Sequence, residues 1–231
     1  MRRIALFARW PRAGEVKTRL SPALPAALAC DLHRAMLEDA LALAGRATSG
    51  ERLLYWADAP AARDGFAPPP GFGVRDQRGV DLGERLERAF GDLLKESGDR
   101  AVILGGDCPA LEAPALDQAF DALERHDLVL GPAGDGGYYL VGLARKAPEL
   151  FRGIEWSTPR VLDQTLARAG RAGLTVHRLG ALDDLDTPAD LVRWIALRAA
   201  GGGPGAPLEL DRVLQAMGLL PPGVMRRGAS A

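Results

Sequence analysis

The chain is poor in residues that staple or ligate. It has two cysteines in 231 residues, Cys30 and Cys108, far apart and in no CxxC or Cys/His cluster. Neither a disulfide framework nor a structural zinc site is expected, and a reducing cytoplasm is the fitting compartment. The three histidines, His33, His126 and His177, are scattered and read as structural or exposed. The net charge of −1 gives no electrostatic footprint for nucleic acid or a membrane surface. No apolar run reaches the ~18–20 residues of a membrane span. The opening MRRIALFARWP is interrupted by Arg9 and lacks a small-residue cleavage site, so it reads as a first strand rather than a signal peptide. Both the GxxxxGK[ST] phosphate loop and the GxGxxG dinucleotide fingerprint are missing, as is any internal repeat.

What is present suits one large α/β domain. Hydrophobic residues make up 47% and charged residues 26%, and the length allows a sizeable core. Strand patterns fall at 3–8, 53–57, 102–104, 128–130, 138–143 and 174–177. Helical periodicity falls at 23–47, from Asp81 onward, at 113–125, at 158–169 with Pro159 in the first helical position, and at 187–199. The three-proline stretch 67–73 reads as a loop. The alternation predicts a mostly parallel sheet with helices on both faces, spanning residues 1–200. GGGPGAP at 201–207 reads as a linker. Residues 208–217 form a short helix that docks on the domain or on a second subunit, and PPGVMRRGASA is a frayed end.

The most informative residue is Asp107, in AVILGGDCPAL. Strand 102–104 ends in Gly105-Gly106 and then a carboxylate. In open α/β sheets ligands bind outside the carboxyl ends of the strands, where a hard cation bridging phosphates needs oxygen ligands. The bland alternative is a turn or cap before Pro109, but the glycine pair leaves room for a nucleotide. RWPRAGEVKTRL after the first strand gathers Arg9, Arg12, Lys17 and Arg19 against Glu15 alone. Gly14 allows close backbone approach, and Lys17 and Arg19 suit phosphate oxygens. GPAGDGGYYLVGL sets Asp135 among Gly131, Gly134, Gly136 and Gly137, more glycine than one turn needs, which suggests backbone lining a substrate pocket. Tyr138 and Tyr139 point to opposite faces, one into the core and one toward the pocket. In LDDLDTPADL, capping accounts for Thr187, Pro188 and Asp190 but not for Asp184 or Asp186, one of which can reach the cation of Asp107. Asp81 and Glu84 match a D-x-x-E cap. Gly83 between them is costly in a helix and suggests close packing against a base or sugar. Trp156 suits stacking on a ligand or a place in the core, and Cys108 is expected to be a small buried residue.

PRAGEVKTRL, DLGERL, LGGDCPAL, GPAGDGGYYLVGL, IEWST and LDDLDTPADL together resemble, in the same order, a family of bacterial proteins with the nucleotide-diphospho-sugar transferase (GT-A) fold. Members are commonly labelled glycosyltransferases, some tied to arsenosugar biosynthesis. The family is similar to 2-phospholactate guanylyltransferases and, more distantly, to molybdenum-cofactor guanylyltransferases. The resemblance covers residues 3–198. It implies that Asp107 holds Mg²⁺ or Mn²⁺ on the nucleotide phosphates, with Asp186 or Asp184 as a second contact. It also implies that Gly14, Lys17 and Arg19 embrace the nucleotide. The chain lacks the L-x-G-G-x-x-x-R-x-G opening of many sugar nucleotidyltransferases. With Gly105 two residues before Asp107, it also lacks a strict D-x-D.

The expected function is that of a metal-dependent glycosyltransferase using a nucleotide-sugar donor and a small-molecule acceptor. Asp135, Lys17 and Asp186 are the candidate catalytic groups, and Asp107 and Asp186 the metal ligands. Arg12, Gly14, Lys17, Arg19, Gly83, Gly105 and Gly106 would line the nucleotide, and Gly136, Gly137, Tyr138 and Trp156 the substrate. Nucleotidyl transfer from a triphosphate, with release of pyrophosphate, is the alternative that the Lys-Thr-Arg loop favours. A non-catalytic nucleotide-binding module is the third.

Overall fold

Arg3 to Ala8, almost wholly apolar between Arg2 and Arg9, forms the strand β1 (Arg2–Arg9) in the interior of a seven-stranded sheet. The computed structural model describes residues 1–46, 50–63, 65–205 and 208–221. Helix α1 (Ala26–Arg46) follows β1 after a 3-10 turn at Thr18–Leu20. Then come β2 (Glu51–Ala57), β3 (Phe72–Asp76), α2 (Leu82–Leu93), β4 (Arg100–Gly105), α3 (Ala113–Ala122), β5 (Leu128–Pro132) and β6 (Tyr138–Leu143). The chain continues through α4 (Val161–Arg171), β7 (Val176–Arg178), α5 (Pro188–Ala199) and α6 (Glu209–Ala216). The sheet order is β3-β2-β1-β4-β6-β5-β7; β6 alone runs antiparallel to its neighbours β4 and β5.

The expected mostly parallel sheet with helices on both faces is therefore present. Ile4, Leu6, Leu54 and Trp56 face one way, against Leu37 and Leu41 of α1 and Leu116 and Phe120 of α3. Ala5, Leu53, Ile103 and Val141 face the other, against Leu86 and Phe90 of α2 and Phe151. This alternation is the period-2 consequence of the pleat, and each fully buried Leu or Phe adds about 1.5–3 kcal/mol. A third cluster lies on the outer side of α1. It joins Leu20 and Leu24 of the first loop, Leu32 and Met36 of α1, Leu185, Trp194 of α5, and Leu210 and Leu214 of α6. The short C-terminal helix thus docks on α1 of its own chain. Asp39 of α1 accepts the Glu209 and Leu210 amide N–H groups at 2.7 and 2.9 Å, and Arg198 of α5 forms a buried ion pair with Asp211.

Several boundaries differ from expectation. Strand β3 lies partly in and directly after the stretch read as a loop. It is the sheet's exposed edge, where Gly73 and charged Arg75 and Asp76 mask the strand pattern. Pro159 is not the first helical residue: α4 begins at Val161, and Pro159 lies in a turn beside Gly136. Helix α1 starts after Pro25 rather than at 23, and α3 stops at Ala122 with a C-cap at Leu123. Position 47 of the expected first helix, positions 206–207 of the linker and 222–231 of the tail lie outside the described residues. No helix among the described residues is long and apolar enough to cross a membrane.

Candidate active site

Strand order reverses between β1 and β4: the chain steps outward from β1 to β2 and β3, then returns to place β4 on the other side. Loops leaving two such strands diverge and open a crevice at their carboxyl ends. The β1 loop carries Lys17 and the end of β4 carries Asp107. Phe7 pairs with Gly105, so the two loops leave the sheet at one level. A third segment closes the crevice. Leu182 bonds backbone to backbone with Pro132 and Gly134, and the Leu185 N–H then donates to the Asp107 carbonyl at 2.9 Å. Leu185 and Leu20 are both fully buried in the cluster outside α1, which anchors the segments bearing Asp186 and Lys17.

These three segments converge on the Lys17 ammonium. It donates to Asp107 Oδ1 at 2.5 Å, Asp186 Oδ1 at 2.7 Å and the Leu185 carbonyl at 2.7 Å. Its side chain is 3% exposed, whereas those of Asp107 and Asp186 are 49% and 36% exposed. Lys17 reaches inward from a left-handed backbone, at φ 49°, where an L-residue is strained. Desolvation acts to lower the Lys17 pKa, but the two carboxylates outweigh it and hold it above its ordinary value. Desolvation likewise acts to raise Asp107, and Lys17 overrides it, keeping the carboxyl below its usual range. The cap of α5 fixes Asp186 from behind. Thr187 and Asp190 form the expected capping box, and Asp190 Oδ2 also accepts the Asp186 N–H at 3.1 Å.

The expected meeting of Asp107 with a carboxylate of the 184–186 stretch is thus present, through Asp186 and with Lys17 between them. Lys17 does not point outward toward phosphate as its loop composition suggested. Asp184 goes elsewhere: it accepts a hydrogen bond from the Cys108 Sγ at 2.6 Å, and burial pushes its pKa up to about 6. Arg12 is exposed and paired with Glu15, and Arg19 is exposed with its guanidinium 3.9 Å from Asp186. Gly14 has φ +84°, so its turn needs glycine. A Cβ on Gly106 would meet nothing within 4 Å, and one on Gly105 would meet only the Tyr139 carbonyl, at 4.0 Å. The protein's own packing therefore does not demand this pair.

Glycines elsewhere have an internal explanation. A Cβ on Gly131 would strike the Tyr139 ring, on Gly134 the Asp183 carboxylate, and on Gly136 the Pro159 carbonyl at 2.2 Å. The turn is glycine-rich because its own neighbours press on it, which removes the sequence argument for Gly136 and Gly137 as open substrate lining. Asp135 is exposed, and its Oδ1 accepts the Gly137 N–H at 2.8 Å. Gly83 is likewise closed by the protein, with the Phe151 carbonyl 2.5 Å and the Trp156 indole nitrogen 2.9 Å from an ideal Cβ. A base or sugar is not needed to account for it. The predicted Asp81 cap is formed, with the Glu84 N–H donating to Asp81 Oδ1 at 2.8 Å. The tyrosines do point to opposite faces, but both faces are core: Tyr139 packs in the first cluster, its hydroxyl donating to the Gly180 carbonyl, and half-buried Tyr138 lies edge-on to Trp156 against the second. Sequence reasoning missed the Leu185 carbonyl, which carries no residue-type signal, and the Cys108–Asp184 contact. The second had a signal in the adjacency of Cys108 to Asp107 and of Asp184 to Asp186.

Three solved structures share this architecture. A protein from Desulfovibrio desulfuricans G20, provisionally assigned as a nucleotide-diphospho-sugar transferase, is 28% identical, with a TM-score of 0.83 over 98% of this chain and 97% of its own. Rv0371c from Mycobacterium tuberculosis H37Rv is 21% identical, with a TM-score of 0.54 over 84% of this chain and 97% of its own. CMP:2-keto-3-deoxy-manno-octonic acid synthetase, solved with CTP, is 13% identical, with a TM-score of 0.55 over 86% and 98%. The last two likenesses speak to the fold alone. No curated protein matches the sequence. The model of the family described as "uncharacterized protein conserved in bacteria" (DUF2064) matches residues 40–158, just over half of the chain, including Asp107 and Asp135. The chain therefore belongs to the DUF2064 family and has the nucleotide-diphospho-sugar transferase fold.

Proposed function

We propose that the protein is a metal-dependent glycosyltransferase, taking a nucleotide-sugar donor in the crevice between β1 and β4. The observation that carries this reading is the convergence of Asp107 Oδ1, Asp186 Oδ1 and the Leu185 carbonyl on one cation at the topological switch point. Three oxygens around a point are a donor set for a hard divalent ion, and the Lys17 ammonium already stands in for one. Asp107 and Asp186 would hold Mg²⁺ or Mn²⁺. Among the described residues no larger cluster of Asp, Glu, His or Cys suits a metal, so these two carboxylates and the Leu185 carbonyl would be the chain's own contribution. When bound, the ion offsets the negative charge that builds on the departing diphosphate.

The chain's own residues supply the rest. Arg12 and Arg19, exposed on the β1 loop, would meet phosphate oxygens, and Gly105-Gly106 would let the donor come close to the β4 backbone. Asp135 Oδ2 has no hydrogen bond among the described residues, and Asp135 is the candidate base. It takes the proton of an acceptor hydroxyl as that oxygen bonds to the anomeric carbon and the nucleoside diphosphate leaves. The transferase assigned in the Desulfovibrio relative supports sugar transfer. The basic β1 loop favours a second reading in the same crevice: attack at the α-phosphorus of a triphosphate, with pyrophosphate leaving.

A thermal-shift panel separates them. Nucleoside diphosphates, nucleotide-sugars and triphosphates are compared with and without Mg²⁺ or Mn²⁺, on the wild type and on Asp107→Asn. A ligand that binds only the folded state raises the melting temperature by mass action. The expected result is a metal-dependent shift, largest with a nucleotide-sugar or diphosphate and lost in the variant. Dominance by one triphosphate selects nucleotidyl transfer. No shift with any nucleotide overturns both readings.

A further inference from the structure

Lys17 and a divalent ion require the same place. The ammonium uses its three protons on Asp107 Oδ1, the Leu185 carbonyl and Asp186 Oδ1, at 2.5–2.7 Å, so the cradle is full. A metal bound by those oxygens would lie at about 2.0–2.6 Å from them, inside the volume Nζ now fills. We infer that Lys17 is an internal cation that holds the metal cradle in shape and must leave it before the metal binds. The inference rests on the metal reading above and says how that site is loaded.

Two features favour a lysine that moves. Buried Val16 and Leu20 anchor its loop while Glu15, Thr18 and Arg19 are exposed, so the ammonium can swing out to solvent without the loop leaving its place. Its backbone is strained at φ 49°, and such strain marks positions poised between arrangements. The cradle also has reason to be filled. Two carboxylates directed at one point repel each other, and an ammonium between them relieves this until a divalent ion arrives. Once displaced, the ammonium must regain hydrogen-bond acceptors. Phosphate oxygens in the crevice supply them, and the basic charge then serves the donor, the role that the loop composition suggests. Metal and nucleotide therefore assist each other: each weakens the hold of Lys17 on the cradle or rewards its departure. By linkage, the nucleotide tightens the metal by the same factor as the metal tightens the nucleotide.

Direct Mn²⁺ binding, followed by electron paramagnetic resonance of the free ion, tests this without turnover. In the absence of nucleotide, Lys17→Met and Lys17→Gln should bind Mn²⁺ roughly tenfold or more tighter than wild type, within the usual range of coupling between sites. Lys17→Arg should not, and adding Asp107→Asn to Lys17→Met should abolish the gain. Nucleoside diphosphate should tighten Mn²⁺ on the wild type far more than on Lys17→Met. A second readout needs no substitution: saturating Mn²⁺ should raise acylation of Lys17 by an amine-reactive reagent, followed by mass spectrometry of the wild type. Folded Lys17→Met and Lys17→Gln binding Mn²⁺ no tighter than wild type would overturn the inference, as would unchanged Lys17 labelling under saturating Mn²⁺. If the wild type still takes Mn²⁺ with nucleotide in that case, the metal-dependent transferase stands and only the displacement fails. If no form binds Mn²⁺ with any nucleotide, both fall.

Discussion

Asp107 stands out from its neighbours in the sequence itself, because a strand ending in two glycines and an acid has few purposes. Asp186 is marked by subtraction, since capping explains Thr187, Pro188 and Asp190 but not this carboxylate. Both inferences rest on side-chain chemistry, which a sequence displays. What holds the two together is a backbone carbonyl and a left-handed lysine, neither of which any residue type announces. The glycines teach the opposite lesson: Gly83 and Gly136 suggest a ligand, yet the protein itself presses on both. Gly136 yields a sharp test. It combines φ +89° with a Cβ position 2.2 Å from the Pro159 carbonyl, so Gly136→Ala must displace the turn before α4. The expected cost is about 1–3 kcal/mol in urea unfolding, together with loss of transfer activity, since the same turn carries Asp135. A variant as stable as the wild type would show that the turn yields freely.

The helices and central strands follow their hydrophobic periods and caps closely, so α5 begins where Thr187 and Asp190 predict. Strand β3 is hidden because it is a short edge strand whose inward face is only half-buried Phe72 and Val74, with Gly73 between them and two charges after. The docking of α6 is equally hidden, because its partner Asp39 lies 170 residues away in sequence. That carboxylate makes the attachment sensitive to pH. Burial pushes Asp39 up to about 6 from its ordinary 3.8, overcoming the two α6 amides that favour its charge. The folded chain thus holds a proton that the unfolded chain releases between about pH 4 and 6. The resulting stability is complete below about pH 4 and is lost as pH rises through 6. Denaturation midpoints of the wild type should therefore fall across that window, and Asp39→Asn should flatten the fall. Asp184, also raised to about 6, leaves part of the slope in the variant. An unchanged slope in Asp39→Asn would remove Asp39 as its source.

In the molecule as a whole, the crevice is held from outside the sheet. The cluster beyond α1 is built of apolar side chains, yet Leu20 and Leu185 tie both the lysine loop and the Asp186 segment into it. Leu20→Ala should cost about 2–5 kcal/mol, the range for emptying a core leucine. It should also weaken nucleotide binding measured by calorimetry well below the new melting point. Destabilisation with unaltered affinity would show that the loop is positioned by other means. The distance along the chain between the partners has a further consequence during synthesis. Lys17 meets Asp186 only after 169 more residues have been joined. At bacterial and eukaryotic elongation rates that is roughly ten to thirty seconds, and Asp107, made 90 residues after Lys17, is its sole cradle carboxylate until then. A nascent chain stalled before residue 186 has the family's matched core but no finished crevice, so the proposed nucleotide site is completed only late in synthesis.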